Sequence, residues 1–270
     1  MNIIVKRLYY SSIFSDILKK HYKTVQSYKD ALNHNMKGGA FSVEYKTHTI
    51  KFKKLIDDGI LKLYLSTPDE ETNCISILID VNNNIAYIEG VTNNEYYNCF
   101  DEPELNNGKT IMDITLKMLD KYKEKLNLKK IELKDNSFLT CDKNIKIILS
   151  DLSLLQHCET FYSRFGFRPK DEDKYENYMK NKSILSITKV KKIKLEKILN
   201  AWSKKMDSEL KQTMLKHYEK YLDYNIVQWF NLFSRKFMKK DCVLFKYIID
   251  SIYIKLGLFK LHGVSYIKKL

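Results

Sequence analysis

Cysteine and histidine are the side chains that most often bind metals or attack substrates, and this chain arranges neither for that work. Its five cysteines (Cys74, Cys99, Cys141, Cys158, Cys242) form no Cys-x-x-Cys pair, and its six histidines show no zinc-ligand spacing. No metal is expected. The odd number, the scatter and the lack of a signal peptide fit reduced thiols in a cytoplasmic setting. Three other places could do chemistry. Leu105-Asn-Asn-Gly-Lys-Thr110 is a glycine-containing loop that opens a helix, and helix N-termini attract anions. Glu89 is a carboxylate on an apolar run, next to Gly90, where a bulge could splay two strands. Phe161-Tyr-Ser-Arg-Phe-Gly-Phe167 places the Tyr162 phenol among aromatic rings. A phenol keeps its proton at neutral pH yet yields it to a strong base. Each has an ordinary alternative: a plain loop, a solvated strand glutamate, and one packed tyrosine among 19.

The elements that would position these residues follow from periodicity. A helix or helix pair is expected over 9–35, stopped by Gly38-Gly39. Alternation of apolar and polar residues then marks strands at 41–45 and 60–65, with further apolar runs at 74–81 and 85–91. Asn82-Asn83-Asn84 between the last two reads as a hairpin turn, because asparagine tolerates the left-handed conformation. From Lys109 the period is helical, with Ile111, Thr115, Met118, Leu119, Tyr122 and Leu126 on one face and Asn127 closing it. A short strand follows at 130–134. A helix is expected over 151–165 with Asp151 as N-cap, then Gly166 and an extended Phe167-Arg168-Pro169. A last strand is expected at 184–190. Beyond it lie helices whose stripes, including Trp202, Trp229, Phe230 and Phe233, read as packing seams. This order is an α/β or α+β sandwich with a mixed sheet flanked by helices.

The net charge of +14 is unevenly spread. Residues 183–270 hold 19 Lys/Arg against 7 Asp/Glu, residues 1–54 hold 11 against 3, and the middle holds 17 against 23. A mildly acidic centre is thus flanked by basic segments, which either keep the surface soluble or attract a polyanion. The run Lys189, Lys191, Lys192, Lys194, Lys197, then Arg235, Lys236, Lys239 and Lys240 makes nucleic acid or another polyanion a candidate partner for residues 189–240. No helix-turn-helix, RNA-recognition or zinc-finger signature accompanies the charge. The most apolar stretch, 243–261, is interrupted by Lys246, Asp250, Lys255 and Lys260, so no membrane span is expected.

The element order and Phe161-Tyr-Ser-Arg-Phe-Gly-Phe-Arg-Pro169 resemble the GNAT acyltransferases, whose helix-to-last-strand junction reads aromatic-Tyr-x-x-x-Gly-Phe. Glu132-Leu-Lys-Asp-Asn-Ser137, Leu149-Ser-Asp-Leu152 and Thr160-Phe-Tyr162 are also similar to GNAT-like proteins of large DNA viruses. The resemblance implies a GNAT-like domain over 40–190; charge and periodicity set a basic helical segment over 1–39 before it and a basic helical extension over 191–270 after it. It implies acetyl-CoA as cofactor, an amine as acceptor, and the host cytoplasm as location if the chain is viral. Glu89 would be the general base, Tyr162 the acid to the departing thiolate, and Asn107, Gly108, Lys109, Thr110 and Asn136 the cofactor contacts. Two departures stand out. The family's loop reads Gln/Arg-x-x-Gly-x-Gly/Ala, whereas here Leu105 replaces the polar residue and Thr110 the second small one. Between Asn136 and Tyr162 the chain is also longer than usual, so 140–150 should form an added loop or strand. A non-catalytic binding or structural protein on the same scaffold is the alternative to an active, or recently degenerate, enzyme.

Overall fold

The computed structural model describes residues 41–57, 60–67, 73–91, 98–142, 145–202 and 206–270. The helix expected over 9–35 and its glycine stop lie outside these residues. The chain divides at Asp135 into two compact units, one running to Lys134 and taking in Ile267–Leu270, the other Asp135–Tyr266.

The first unit is built on strands β1 (Phe41–Tyr45), β2 (His48–Asp57), β3 (Ile60–Ser66), β4 (Asn73–Asp80), β5 (Ile85–Val91) and β6 (Lys130–Lys134). β1 to β5 pair antiparallel in sequence order, and β6 joins β5 in parallel. A parallel neighbour needs a crossover, and helix α1 (Gly108–Tyr122) supplies it. Residues 267–269, the end of the C-terminal strand, lie beside β6, where the Leu270 N–H donates to the Lys129 carbonyl at 3.0 Å. The result is the mixed sheet with flanking helix that the periodicity implied. Asn84 takes the left-handed conformation in the β4–β5 turn (φ 58°), and Asn127 does so after α1 (φ 49°).

β2 is the strand the periodicity did not show. Its Ile50 and Phe52 are buried and pair with Val43 and Phe41, but lysines at 51, 53 and 54 dilute the apolar signal. α1 seals this edge: the Tyr122 hydroxyl accepts from the Ser42 N–H at 3.0 Å, and its ring meets Phe41 at 4.7 Å. Burying Ile111, Ile114, Met118 and Leu119 on one face of α1 contributes roughly 2 kcal/mol per side chain.

The second unit opens with the hairpin β7 (Phe138–Asp142) and β8 (Ile145–Ile148), so the stretch 140–150, expected as a loop or strand, holds most of an antiparallel pair. Helices α2 (Leu149–His157), α3 (Glu172–Ile187), α4 (Leu195–Asn200), α5 (Ser208–Glu219), α6 (Ile226–Phe237) and α7 (Cys242–Leu256) follow. The two-residue strand β9 (Arg168–Pro169) runs beside the start of β10 (Ser265–Lys269), with Lys170 N–H donating to the Ser265 carbonyl at 2.8 Å. An aromatic core joins α6 and α7: Trp229, Phe230, Phe233 and Phe237 of α6 are fully buried, as is Phe245 of α7.

Three expectations are corrected here. The helix placed over 151–165 breaks at Cys158, which adopts a left-handed conformation (φ 58°), and Tyr162–Phe165 forms a separate 3-10 turn. Asp151 does not cap α2, whose N-cap is Ile148; Asp151 is buried in the first turn and bonded to Lys260. Of the strand expected at 184–190, residues 184–187 are the end of α3, Lys189 makes a single antiparallel bridge to Asn225, and Val190 opens a 3-10 turn. Asn181 holds the helix by donating to the Phe259 carbonyl and accepting from its N–H, while Tyr178 and Leu185 bury on the same face. These tertiary ties override the strand preference of Ile184 and Ile187.

The cysteines also depart from the reduced-thiol reading. Cys74 and Cys99 form a disulfide within the first unit (Cα–Cα 5.7 Å), and Cys141 and Cys242 form one within the second (5.4 Å). Cys158 stays free, its thiol pushed up by burial and donating to the Lys182 carbonyl at 3.5 Å.

Candidate functional site

Glu89 is the extra residue of a bulge. On β4, Ser76 faces Gly90 while the next residue, Ile77, faces Ile88, so Glu89 has no opposite number. A bulge shifts the later side chains by one face. Val91 therefore pairs with Ile75 and leaves the face that Tyr87 occupies. On the other side of β5, the parallel ladder with β6 ends at Ile88 and Leu133, although β5 itself continues to Val91. The bulge thus falls where the two parallel strands stop pairing.

The Glu89 carboxylate is exposed and held from below. The Ser76 hydroxyl donates to its Oε2 at 2.7 Å, and the Lys62 ammonium lies 3.5 Å from the same oxygen. The other oxygen carries neither contact. Both partners hold the carboxylate through Oε2 and so fix the direction of Oε1. One pair further back, Tyr87 sits across the parallel ladder from Glu132. Burial, then the charges of Glu132 and Asp80, push its phenol up to about 12. Glu132 itself is buried and ion-paired to Lys130 at 3.2 Å.

The loop before α1 is more tightly built than its sequence suggested. Asn106 is its hub: the side-chain oxygen accepts from the N–H groups of Cys99 and Phe100 (2.7 and 2.9 Å), and the amide donates to the carbonyls of Phe100 and Glu102. The Cys74–Cys99 disulfide ties the same loop to β4, and His48 Nδ1 meets Glu102 at 3.2 Å. Leu105 is fully buried and anchors the 3-10 turn Pro103–Leu105 in the core. Asn107 is the N-cap of α1, its side-chain oxygen accepting from the Thr110 N–H at 2.9 Å. Thr110 is buried, whereas Asn107 and Lys109 are exposed. The donors at this helix start are the amides of Gly108 and Lys109 and the Lys109 ammonium. They suit a diphosphate in charge, with one amide fewer than an uncapped helix would offer.

Asn136 and Tyr162 belong to the second unit, Glu89 and Asn107–Thr110 to the first. Asn136 is half-buried, and the residue that organises its turn is Asp135, whose carboxylate accepts from the Ser137 N–H (3.1 Å) and hydroxyl. Tyr162 is half-buried in an aromatic cluster, 5.3 Å from Phe161, 6.4 Å from Phe167 and 5.7 Å from Tyr266 between ring centres. The junction behaves as its glycine requires: Gly166 is left-handed (φ 84°) and Phe167 is buried. Around it lie titratable groups the sequence did not disclose. Asp135 and Asp151 are buried, and burial pushes both carboxyls up; Lys260, 2.8 Å from Asp151, opposes this. The Tyr266 phenol is raised by burial as well. Their setting depends on strands and helices distant in sequence, so no local pattern marks them.

Among the described residues, no group of three or more histidine, cysteine, aspartate or glutamate side chains could hold a metal ion, and no helix is long and apolar enough to cross a membrane. No protein-family model, no curated protein and no solved structure matches this chain.

Proposed function

We propose that the chain is an acyl-CoA-dependent N-acyltransferase whose acceptor-side chemistry centres on Glu89. The carrying observation is the bulge at Glu89, located where β5 and β6 cease to pair. Ligands of parallel sheets bind beyond the carboxyl ends of the strands, and α1, the crossover between β5 and β6, begins at that end. Acetyl-CoA, when bound, would supply the acyl group as a thioester. The Gly108 and Lys109 amides and the Lys109 ammonium would hold its diphosphate. Glu89 would take the proton from the incoming amine, with Lys62 and Ser76 fixing the carboxylate's direction. The role of Tyr162 as acid to the thiolate rests on the sequence resemblance alone.

Titration with millimolar acetyl-CoA tests this reading by thermal shift. Binding at a hundred times Kd would stabilise by about 2.7 kcal/mol, and an unchanged melting curve would overturn the proposal. Glu89→Gln should keep the shift yet lower turnover by about a hundredfold or more. Tyr162→Phe tests the phenol by itself.

A second reading, binding without catalysis, has its own observation. Lys189, Lys191, Lys192, Lys194 and Lys197 are all exposed, on and around the turn Val190–Lys192 and α4. Residues 189–240 would then contact a polyanion. Trp229 and Phe230 are buried, so they are unavailable for stacking on bases. Affinity that falls steeply with salt supports this reading, and salt-independent affinity counts against it.

A further inference from the structure

We propose that His157, Arg164 and Arg235 form a binding site for the phosphodiester backbone of a nucleic acid. The proposal rests on the binding reading above and gives it a location partly outside the lysine-rich segment.

Arginine is scarce in this chain. Of 47 basic residues only four are arginines, at positions 7, 164, 168 and 235. Two of these, distant in sequence, act on one imidazole. His157 is the last residue of α2, and Gln156 beside it locks α2 onto α6: its side-chain amide donates to the Ser234 hydroxyl at 2.7 Å, and its carbonyl accepts from Asn231 at 3.2 Å. Arg235 directly follows Ser234. Arg164 comes from the 3-10 turn Tyr162–Phe165, which Thr160 and Ser163 brace by reciprocal bonds (3.0 and 3.3 Å). Its guanidinium lies over the Phe161 ring, 5.5 Å from the centre.

All three side chains are exposed, and among the described residues neither Arg164 nor Arg235 has a carboxylate at ion-pair distance. The acid that acts on His157 is Glu159, which is already paired with Lys182 at 3.2 Å. A histidine in the last turn of a helix ordinarily gains affinity for its proton from the helix dipole. His157 instead has its pKa lowered, by burial first and then by the Arg164 and Arg235 charges. Each of the two arginine charges acts on the imidazole more strongly than Glu159 does. Unpaired guanidinium forks held by their backbones suit phosphate oxygens, which they can contact in pairs.

An exposed site gives a small ligand little burial, but it suits a polymer whose affinity comes from counterion release over several phosphates. Positive charge continues from Arg235 through exposed Lys236, Lys239 and Lys240, and Lys236 and Lys220 both lower the pKa of His217 on α5 after burial. The neighbouring aromatic residues of α6 are buried, so recognition would be independent of sequence.

The test is fluorescence anisotropy of the full chain with a labelled oligonucleotide of arbitrary sequence across a salt series. Arg164→Gln/Arg235→Gln should weaken binding about tenfold or more and flatten the salt slope by about two. Arg164→Lys/Arg235→Lys should keep the slope and lose part of the affinity, and it guards against a folding defect in the glutamine pair. Wild-type affinity in the Arg→Gln pair, with loss in Lys189→Gln/Lys191→Gln/Lys192→Gln, would overturn this site and leave the binding reading intact. No binding by the wild-type chain at low salt would overturn both. Competition by polyglutamate as effective as unlabelled oligonucleotide would replace the nucleic acid with an acidic polypeptide and overturn the phosphate assignment.

Discussion

The two units set their distinctive charged groups differently. In the first, Glu89 stands exposed on a bulge, with Ser76 and Lys62 holding one carboxylate oxygen. In the second, Asp135 and Asp151 lie buried with carboxyls pushed up by desolvation, while Arg164 and Arg235 face solvent without carboxylate partners. A carboxylate that must exchange protons with a substrate needs access and a fixed direction, which the sheet unit provides. A surface that attracts polyanions needs cations facing solvent, and the helical unit places Arg164 and Arg235 there. The catalytic reading and the binding reading thus draw on different units, and they can be broken separately.

The largest expected effect comes from the disulfides. Cys74–Cys99 spans 25 residues and Cys141–Cys242 spans 101. Loop-closure entropy makes the shorter worth about 3 kcal/mol and the longer about 5 kcal/mol, so reduction should destabilise the second unit more. Both tryptophans, Trp202 and Trp229, lie in that unit, so their fluorescence follows it alone. Urea denaturation with and without reductant should move the fluorescence midpoint further than that of the Cys74→Ser/Cys99→Ser variant. Equal midpoints would break the asymmetry. Thiol titration of the denatured, unreduced chain should count one reactive cysteine of five, Cys158.

Core truncation is next. Trp229 is fully buried against Phe233 and Tyr218, at 4.7 and 6.0 Å between ring centres, and Ile77 is fully buried in β4. Trp229→Ala should cost about 3–5 kcal/mol and Ile77→Ala about 2–5 kcal/mol. Oligonucleotide binding should suffer from the first variant near its unfolding transition, and acetyl-CoA binding from the second. A reversed pattern would show that the ligands had been assigned to the wrong units.

What the sequence disclosed was local. Gly166, Asn84 and Asn127 announced left-handed positions because few residues tolerate them, and Glu89-Gly90 announced a bulge. The strands and α1 followed from apolar periodicity, except β2, where lysines diluted it. What stayed hidden was set by residues far apart in the chain. Cys74 meets Cys99, and Cys141 meets Cys242, only through tertiary structure. Leu105 looked like a lost cofactor contact but is a core anchor, and Asn106 beside it carries the loop's hydrogen bonds. At the end of α3 the β-branched Ile184 and Ile187 carry a strand signal, and Asn181 overrides it through a partner, Phe259, far along the chain. His157 carries no local signal, since its two arginines arrive from other elements.

The smallest expected effect isolates the withdrawn acids. Asp135 is buried, with one carboxylate oxygen bonded to Ser137 and the other without a hydrogen-bond partner. Burial is the largest influence on its carboxyl and raises it; the Ser137 bonds and His262 work the other way, and Asp151 adds to the rise. A carboxyl raised in the folded state binds its proton more tightly there than in the unfolded chain. Its contribution to stability is therefore most favourable below the unfolded value of about 3.9 and declines as pH climbs through the folded value. Asp135→Asn keeps an oxygen for the Ser137 N–H and removes the charge, so it should stabilise the second unit at neutral pH. That gain should vanish as pH falls below about 4, where wild type and variant are both neutral at this position. Asp250, whose carboxyl is lowered by Lys246 and Lys260 against its burial, provides the opposite sign. Asp250→Asn should destabilise at neutral pH and approach wild type in acid. Fluorescence-detected melting of both variants across pH reads the two slopes. Parallel slopes would mean that the second unit does not keep Asp135 as a withdrawn, proton-favouring acid, and the contrast with Glu89 would fail at that point.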